Sequence, residues 1–204
     1  MHITPRETGW IEVICGSMFS GKTEELMRRL RLAQIAKQRV GIFKPKIDDR
    51  FASDAIVSHE GRRIPSVSIS EAREIRDLAM PDGKPAFDVV GIDEVQFFGL
   101  DVVEICERLA DSGQRVIVSG LDQDSRGVPF EPIPQLLAVA EFITKNLAVC
   151  MVCGNPANRS QRLVERESRV LVGAAESYEA RCRKCFKLPD GETRQRTLPL
   201  GTVK

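Results

Sequence analysis

The chain has 204 residues, room for one main domain with a sizeable core and a small appendage. Lys plus Arg number 30 against 29 Asp plus Glu, a formal net charge of +1, and aromatics make up 5%. That balance implies neither a basic face for nucleic acid nor a stacking platform for single strands. No apolar run approaches the roughly 20 residues that span a bilayer. The start, Met1-His2-Ile3-Thr4-Pro5-Arg6-Glu7, lacks the apolar stretch of a secretory signal, so a cytoplasmic protein without membrane partners is expected.

The first element is an apolar run, Trp10-Ile11-Glu12-Val13-Ile14-Cys15, which reads as a buried strand. Gly16-Ser17-Met18-Phe19-Ser20-Gly21-Lys22-Thr23 follows it and satisfies every fixed position of the pattern Gly, four residues, Gly-Lys-Ser/Thr. A helical stripe of Leu26, Met27, Leu30, Ala33 and Ile35 comes next. Strand, glycine-rich turn and helix together form an anion cradle. Gly16 and Gly21 let successive N–H groups turn inward, and the helix N-terminus adds partial positive charge. Lys22 can reach the outer phosphates of a nucleotide, and the Thr23 hydroxyl can ligate Mg2+.

Arg39 to Phe43 reads as the next strand. Residues 44 to 65, which include Lys44-Pro45, Asp48-Asp49-Arg50 and His59-Glu60-Gly61, show no sustained periodicity; a long irregular segment in a compact domain suggests a mobile flap over the site. Ser70 is placed to cap a helix from Glu71 to about Ala79, with Pro81-Asp82-Gly83 as its stop. Phe87 to Ile92 is a hydrophobic strand ending in two carboxylates, Asp93 and Glu94. In phosphate-loop enzymes a strand-end Asp helps hold Mg2+, and Asp93 fits that position. Glu94 can accept a proton from a hydroxyl nucleophile or orient a water, which leaves a kinase and an ATPase both open. Val102, Val103, Ile105, Cys106 and Leu109 form a helical stripe, and Arg115 to Ser119 is a further strand. Alternating apolar strands and helices predict an α/β, phosphate-loop NTPase-like fold: a mostly parallel sheet with helices on both faces.

The six cysteines then need a reading suited to a reducing compartment. Cys150-x-x-Cys153 and Cys182-x-x-Cys185, separated by 28 residues, are two knuckles that supply four sulfur ligands for a structural Zn2+. Cys15 and Cys106 fall in apolar patterns and read as core packing. The predicted organisation is an ATP-binding domain over 1–147, a small zinc-ribbon lobe over 148–188 and a tail over 189–204 without fixed structure. The phosphate loop, as part of the main sheet, is expected to be independent of the zinc lobe.

These motifs, in this order, resemble the type II thymidine kinase family over about residues 9 to 188. The resemblance rests on the 16–23 loop with its Met-Phe-Ser interior, Lys44-Pro45, Asp48-Asp49-Arg50 and Ser58-His59. It continues with Asp93-Glu94-Val95-Gln96-Phe97-Phe98, Gly120-Leu121-Asp122 with Pro129-Phe130 beyond, and the run from Val172 through Tyr178 to the second knuckle. It departs at Gln123-Asp124-Ser125-Arg126, polar where some relatives carry an aromatic.

The resemblance implies ATP-dependent phosphorylation of the thymidine 5′-hydroxyl, with Glu94 as general base. It implies that Gly16, Ser17, Met18, Phe19, Ser20, Gly21, Lys22, Thr23, Asp48, Arg50, Asp93 and Gln96 handle ATP and Mg2+. Met18, Phe97, Leu121, Phe130, Leu171, Val172, Gly173, Ala174 and Tyr178 would surround the nucleoside. Phe97 and Phe98 cannot both face one way, so one of them belongs to the core. A homotetramer with no nucleic-acid partner is implied as well. Two other readings stay open: another zinc-containing nucleoside or nucleotide kinase, and a zinc-ribbon ATPase acting on DNA.

Overall fold

The computed structural model describes residues 8–46, 55–57, 63–164 and 177–188. Its framework is a parallel sheet assembled around β1 (Trp10–Gly16), whose residues after Trp10 are all buried. The chain leaves β1 through the glycine loop into α1 (Lys22–Ile35) and returns as β2 (Val40–Pro45). An antiparallel ribbon follows, β3 (Ala55–Val57) paired with β4 (Arg63–Pro65). Then come β5 (Val67–Ile69), α2 (Ala72–Ala79), β6 (Val89–Ile92), α3 (Asp101–Asp111) and β7 (Arg115–Leu121). The sheet is completed by α4 (Ile133–Val139) and β8 (Phe142–Asn146). Its strand order is β5-β2-β6-β7-β1-β8, with every pairing parallel.

Both faces of this sheet are covered, so its central strands bury alternate residues in different cores. Ile11, Val13 and Cys15 of β1, with Val116 and Val118 of β7, pack with α2, α3 and α4. Ile14 and Ile117 face the other way, onto Leu26, Met27, Leu30 and Ala33 of α1. Ile35, which continues the apolar stripe in sequence, is 71% exposed at the last turn of α1. Glu12 is the exception on the α1 face. Its carboxylate accepts from Arg29 at 2.7 Å, Arg115 at 2.6 Å and the Trp10 indole at 2.8 Å. Burial would raise its pKa, but these donors outweigh burial and hold it below the ordinary carboxylate value.

Four local readings are corrected. Helix α2 is capped by Glu71, not Ser70: Glu71 and Glu74 form a reciprocal capping box, and the Ser70 N–H also reaches the Glu74 carboxylate at 2.8 Å. The 44–65 segment contains ordered structure, since β2 runs on through Pro45 and the β3–β4 ribbon occupies part of the rest. A three-residue strand is too short to show a period. Strand β5 and helix α4 went unpredicted for the same reason, α4 being a seven-residue helix with Pro134 in its first turn. Strand β8 borders the sheet, is polar from Thr144 to Asn146 and alternates exposed with half-buried residues, unlike the buried apolar runs of β1 and β7.

Beyond β8 the described chain forms two short antiparallel pairs: β9 (Ala148–Val149) with β10 (Pro156–Ala157), and β11 (Arg159–Arg162) with β12 (Tyr178–Arg181). Their core is small: Ala148, Cys150, Ala157, Ala180 and Cys182, with Cys185 against it.

Candidate active site

The ends of β1, β6 and β7 meet at one edge of the sheet, where ligands of parallel α/β folds bind. At β1 the chain turns through the glycine loop. Gly21, immediately before α1, has φ +76°, a conformation open to glycine and costly for other residues. Phe19 also takes a positive φ, +62°. The Ser17 carbonyl organises the loop, accepting from Lys22 Nζ and from Ser20 Oγ, each at 2.8 Å. The Lys22 ammonium is thus folded into the loop and buried. Burial lowers its pKa, opposed by the nearby carboxylates of Glu94, Asp93 and Asp122.

Asp93 lies just past β6 and is 5% exposed. Its Oδ1 accepts from Ser119 Oγ at 2.6 Å, and its Oδ2 faces Thr23 Oγ1 at a loose 3.4 Å. Burial first, then the charge of Glu94, push its pKa up to about 7. A carboxylate so placed, with a hydroxyl beside it and an anion cradle next to it, suits an oxygen-seeking divalent cation such as Mg2+. Thr23 and Asp93 are the residues that would hold it.

Glu94 follows in a left-handed conformation, φ +51° and ψ +40°. Such a conformation is uncommon for a residue with a long side chain and clusters at functional sites. Gln96 fixes the glutamate: its amide nitrogen donates to Glu94 Oε2, while its amide oxygen accepts from the Leu121 N–H at 3.0 Å. Gly120 makes this contact possible, because a Cβ there would stand 2.6 Å from the Gln96 amide oxygen. Gln96 therefore links the β6 end to the β7 end.

The two adjacent aromatics separate. Phe98 is buried in the main core, while Phe97 stays partly exposed and packs edge-on against Phe130, centroids 6.1 Å apart at 82°. Leu121, at the end of β7, is half-buried. Tyr178 lies on β12, where its hydroxyl accepts from Arg162 at 3.1 Å and the guanidinium sits 5.6 Å from its ring centroid. Asp48, Arg50, Leu171, Val172, Gly173 and Ala174, together with Ser58 and His59, lie outside the described residues.

The expected independence of the glycine loop from the small lobe does not hold. The Met18 N–H donates to Ser160 Oγ at 3.0 Å, and Ser17 Oγ points at the Ala157 carbonyl at 3.5 Å. Ser160, 4% exposed, belongs to a polar run, Asn158-Arg159-Ser160-Gln161-Arg162, that reads in sequence as surface. It stands opposite Ala180 of β12 and against the Met18 N–H, contacts between distant segments that nothing local signals.

The four lobe cysteines gather as predicted. Their sulfurs all lie within 4.8 Å of one another, with Cys153–Cys182 at 3.6 Å and Cys153–Cys185 at 3.5 Å. A tetrahedral Zn2+ with sulfur at about 2.3 Å requires an S–S edge of about 3.8 Å, so the cluster fits the ion. For Cys150, burial raises the pKa, but backbone donors from Cys182, Val152 and Cys153 bring it down to about 6. Hydrogen bonds to Cys153 and Cys182 push Cys185 up to about 12. Four cysteine sulfurs this close could share one cation, whose binding would deprotonate them. Cys15 and Cys106 are buried in the main core, away from this cluster.

Comparison with known proteins agrees with this arrangement. The family model described as thymidine kinase matches residues 9–186. A protein named thymidine kinase from Rhodothermus sp. (strain ITI 518) is 57% identical over 181 residues, covering 89% of this chain and 83% of the relative.

Proposed function

The chain belongs to the thymidine kinase family, and from that premise we propose that it transfers the γ-phosphoryl group of ATP to the 5′-hydroxyl of thymidine, giving dTMP and ADP. The observation that carries this reading is the junction of three strand ends: Lys22 in the glycine loop, Asp93 beside Thr23, and Glu94 turned outward and held by Gln96.

Each residue has a role in the proposal. The amides of the 16–23 loop and the N-terminus of α1 bind the phosphates, and Lys22 leaves the Ser17 carbonyl to neutralise the outer ones. Thr23 and Asp93 hold Mg2+, which when bound offsets charge on the transferring phosphoryl group. Glu94 takes the proton from the 5′-hydroxyl as that oxygen attacks phosphorus. Gln96 keeps the Glu94 carboxylate aimed and ties it to the β7 end, a positioning role in place of direct nucleotide contact. Phe97 and Phe130, with Leu121 and Met18, form an apolar wall for the base. Tyr178 is assigned to the pyrimidine side, and the family resemblance adds residues 171–174 to the nucleoside set and Asp48 and Arg50 to the phosphate set. Zn2+ on Cys150, Cys153, Cys182 and Cys185 is structural, because four thiolates leave no open position. A cytoplasmic homotetramer is the proposed form.

The test is phosphotransfer from ATP with Mg2+ across a panel of nucleosides. Thymidine is expected to be the best acceptor, with one ADP formed per dTMP. ATP hydrolysis stimulated by single-stranded DNA, with no nucleoside phosphorylated, would overturn the reading.

A further inference from the structure

The 122–130 loop, polar at Gln123-Asp124-Ser125-Arg126, is self-bonded and docked on the small lobe. The Asp124 carboxylate accepts from the N–H groups of Arg126 at 2.9 Å and Val128 at 3.0 Å. Backbone bonds cross the loop from Asp124 to Val128 at 2.9 Å and from Phe130 to Asp122 at 3.1 Å. A loop closed in this way moves as one piece. Its inner end carries Phe130 against Phe97, beside Glu94. Its outer end meets Arg159 of β11.

Arg159 is 7% exposed despite its charge. Its Nη1 donates to Gln123 Oε1 in the loop and, at 3.4 Å, to the Asn158 carbonyl. The guanidinium also lies over the ring of Phe186, 6.0 Å from the centroid, and Phe186 is the residue after Cys185. Gly127, at the loop tip, packs against both: a Cβ there would sit 3.6 Å from Arg159 Nε and 3.6 Å from Phe186 Cε1. One guanidinium thus joins the lobe strand, the chain after the second cysteine knuckle and the loop that ends at the aromatic wall.

We propose that Arg159 is a positioning residue for nucleoside binding. It clamps the 122–130 loop to the cysteine-bearing lobe and thereby sets Phe130 against Phe97. The inference rests on the reading of Phe97 and Phe130 as the base wall. Lysine would not replace it, because an ammonium keeps one donor for Gln123 but has no planar face for Phe186. Losing the charge-assisted hydrogen bond to Gln123, felt in part at the far end of the loop, corresponds to about a tenfold change in affinity.

The experiment is steady-state kinetics on the full-length protein with thymidine and ATP varied separately. Arg159→Ala is expected to raise KM for thymidine about tenfold, with kcat lowered less than threefold and KM for ATP within about twofold of wild type. Arg159→Lys should fall between the two. Gln123→Ala should raise KM for thymidine about threefold and add nothing in the Arg159→Ala background, since both changes cut the same link. A parallel rise in both KM values, additive effects in the double variant, or a Gln123→Ala enzyme with wild-type KM would overturn the proposal. Gln123→Ala, altered in the loop itself, decides the matter should Arg159→Ala fail to fold. Phe130→Ala separates the two readings. If it leaves KM for thymidine unchanged, the base wall is wrong and this inference falls with it. If it raises KM while Arg159→Ala and Gln123→Ala do not, only the clamp is refuted.

Discussion

Glu94 combines a reactive carboxylate with a strained backbone, so substituting it separates chemistry from stability. A side chain in the left-handed region costs about 1–2 kcal/mol, a cost glycine escapes, while glycine gives up about 0.5–1 kcal/mol of chain entropy. With φ +51° and ψ +40° at this position, Glu94→Gly should be more stable than Glu94→Ala by up to about 1 kcal/mol, or about 2–4 °C in Tm for a chain of this size. Glu94→Gln preserves shape and lets its amide oxygen face the Gln96 donor, but it removes the proton acceptor. All three variants should lose about 10²- to 10⁴-fold in kcat, or about 3–5 kcal/mol of transition-state stabilisation. ATP affinity should change little, because removing the Glu94 charge lets Asp93 ionise more readily while it withdraws one of the carboxylates that support Lys22. Stopped-assay kinetics and thermal melts of the three variants together provide the check. A Glu94→Gln enzyme with more than about half the wild-type kcat would eliminate Glu94 as the base. A Glu94→Gly protein melting below Glu94→Ala would refute the strain.

Lys22→Ala should abolish ATP-dependent transfer while the far-ultraviolet circular dichroism stays native; unchanged ATP kinetics would end the phosphate-loop argument. Ser160→Ala leaves the half-buried Met18 N–H without its side-chain acceptor, a loss of about 1 kcal/mol, and is expected to raise KM for ATP several-fold; wild-type ATP kinetics would show that the lobe does not brace the loop. Cys182→Ser should lower zinc content by elemental analysis, reduce Tm and weaken ATP and thymidine together, since β11 reaches both sides of the site; native protein purified without chelators and free of zinc would remove this prediction. Glu12 and Glu25 both have folded-state pKa values below 4.5, Glu25 at about 2 through its bonds to Arg28 and against burial. Their stabilisation is present above pH 4.5 and is lost as pH falls toward 2, so Tm should drop over that window, and Glu12→Gln should flatten the drop while lowering Tm at neutral pH.

The sheet was legible because its strands are buried on both faces and therefore read as unbroken apolar runs. The glycine loop was legible because its geometry demands particular residues at particular positions. The cysteine knuckles were legible because two close thiol pairs leave few alternatives in a reducing compartment. What stayed hidden depends on contacts between distant segments. Ser160, opposite Ala180 of β12, accepts from the Met18 N–H across 142 positions. The resemblance assigns Gln96 to the nucleotide, yet its place between Glu94 and the Leu121 N–H exists only once β6 and β7 lie side by side. Arg159 would be taken for a surface charge from composition alone.

Burial acts on Lys22 and Asp93 in the same sense, pushing each toward its neutral form, the lysine downward and the aspartic acid upward. Each charge is therefore costly by itself in this edge of the sheet. A triphosphate beside Lys22 and a divalent cation beside Asp93 and Thr23 reverse both penalties at once, because each supplies the opposite charge at the buried group. Nucleotide and Mg2+ should then bind as a pair far better than either alone. The hydrogen bond from Ser119 keeps Asp93 oriented whichever protonation state it holds. Glu94, one residue farther on, acts on both groups: its charge supports the Lys22 ammonium and disfavours a second negative charge on Asp93. The two neighbouring carboxylates have different partners, Asp93 facing Ser119 and Thr23 and Glu94 held by Gln96, so in the proposed reaction one would serve the metal and the other the proton.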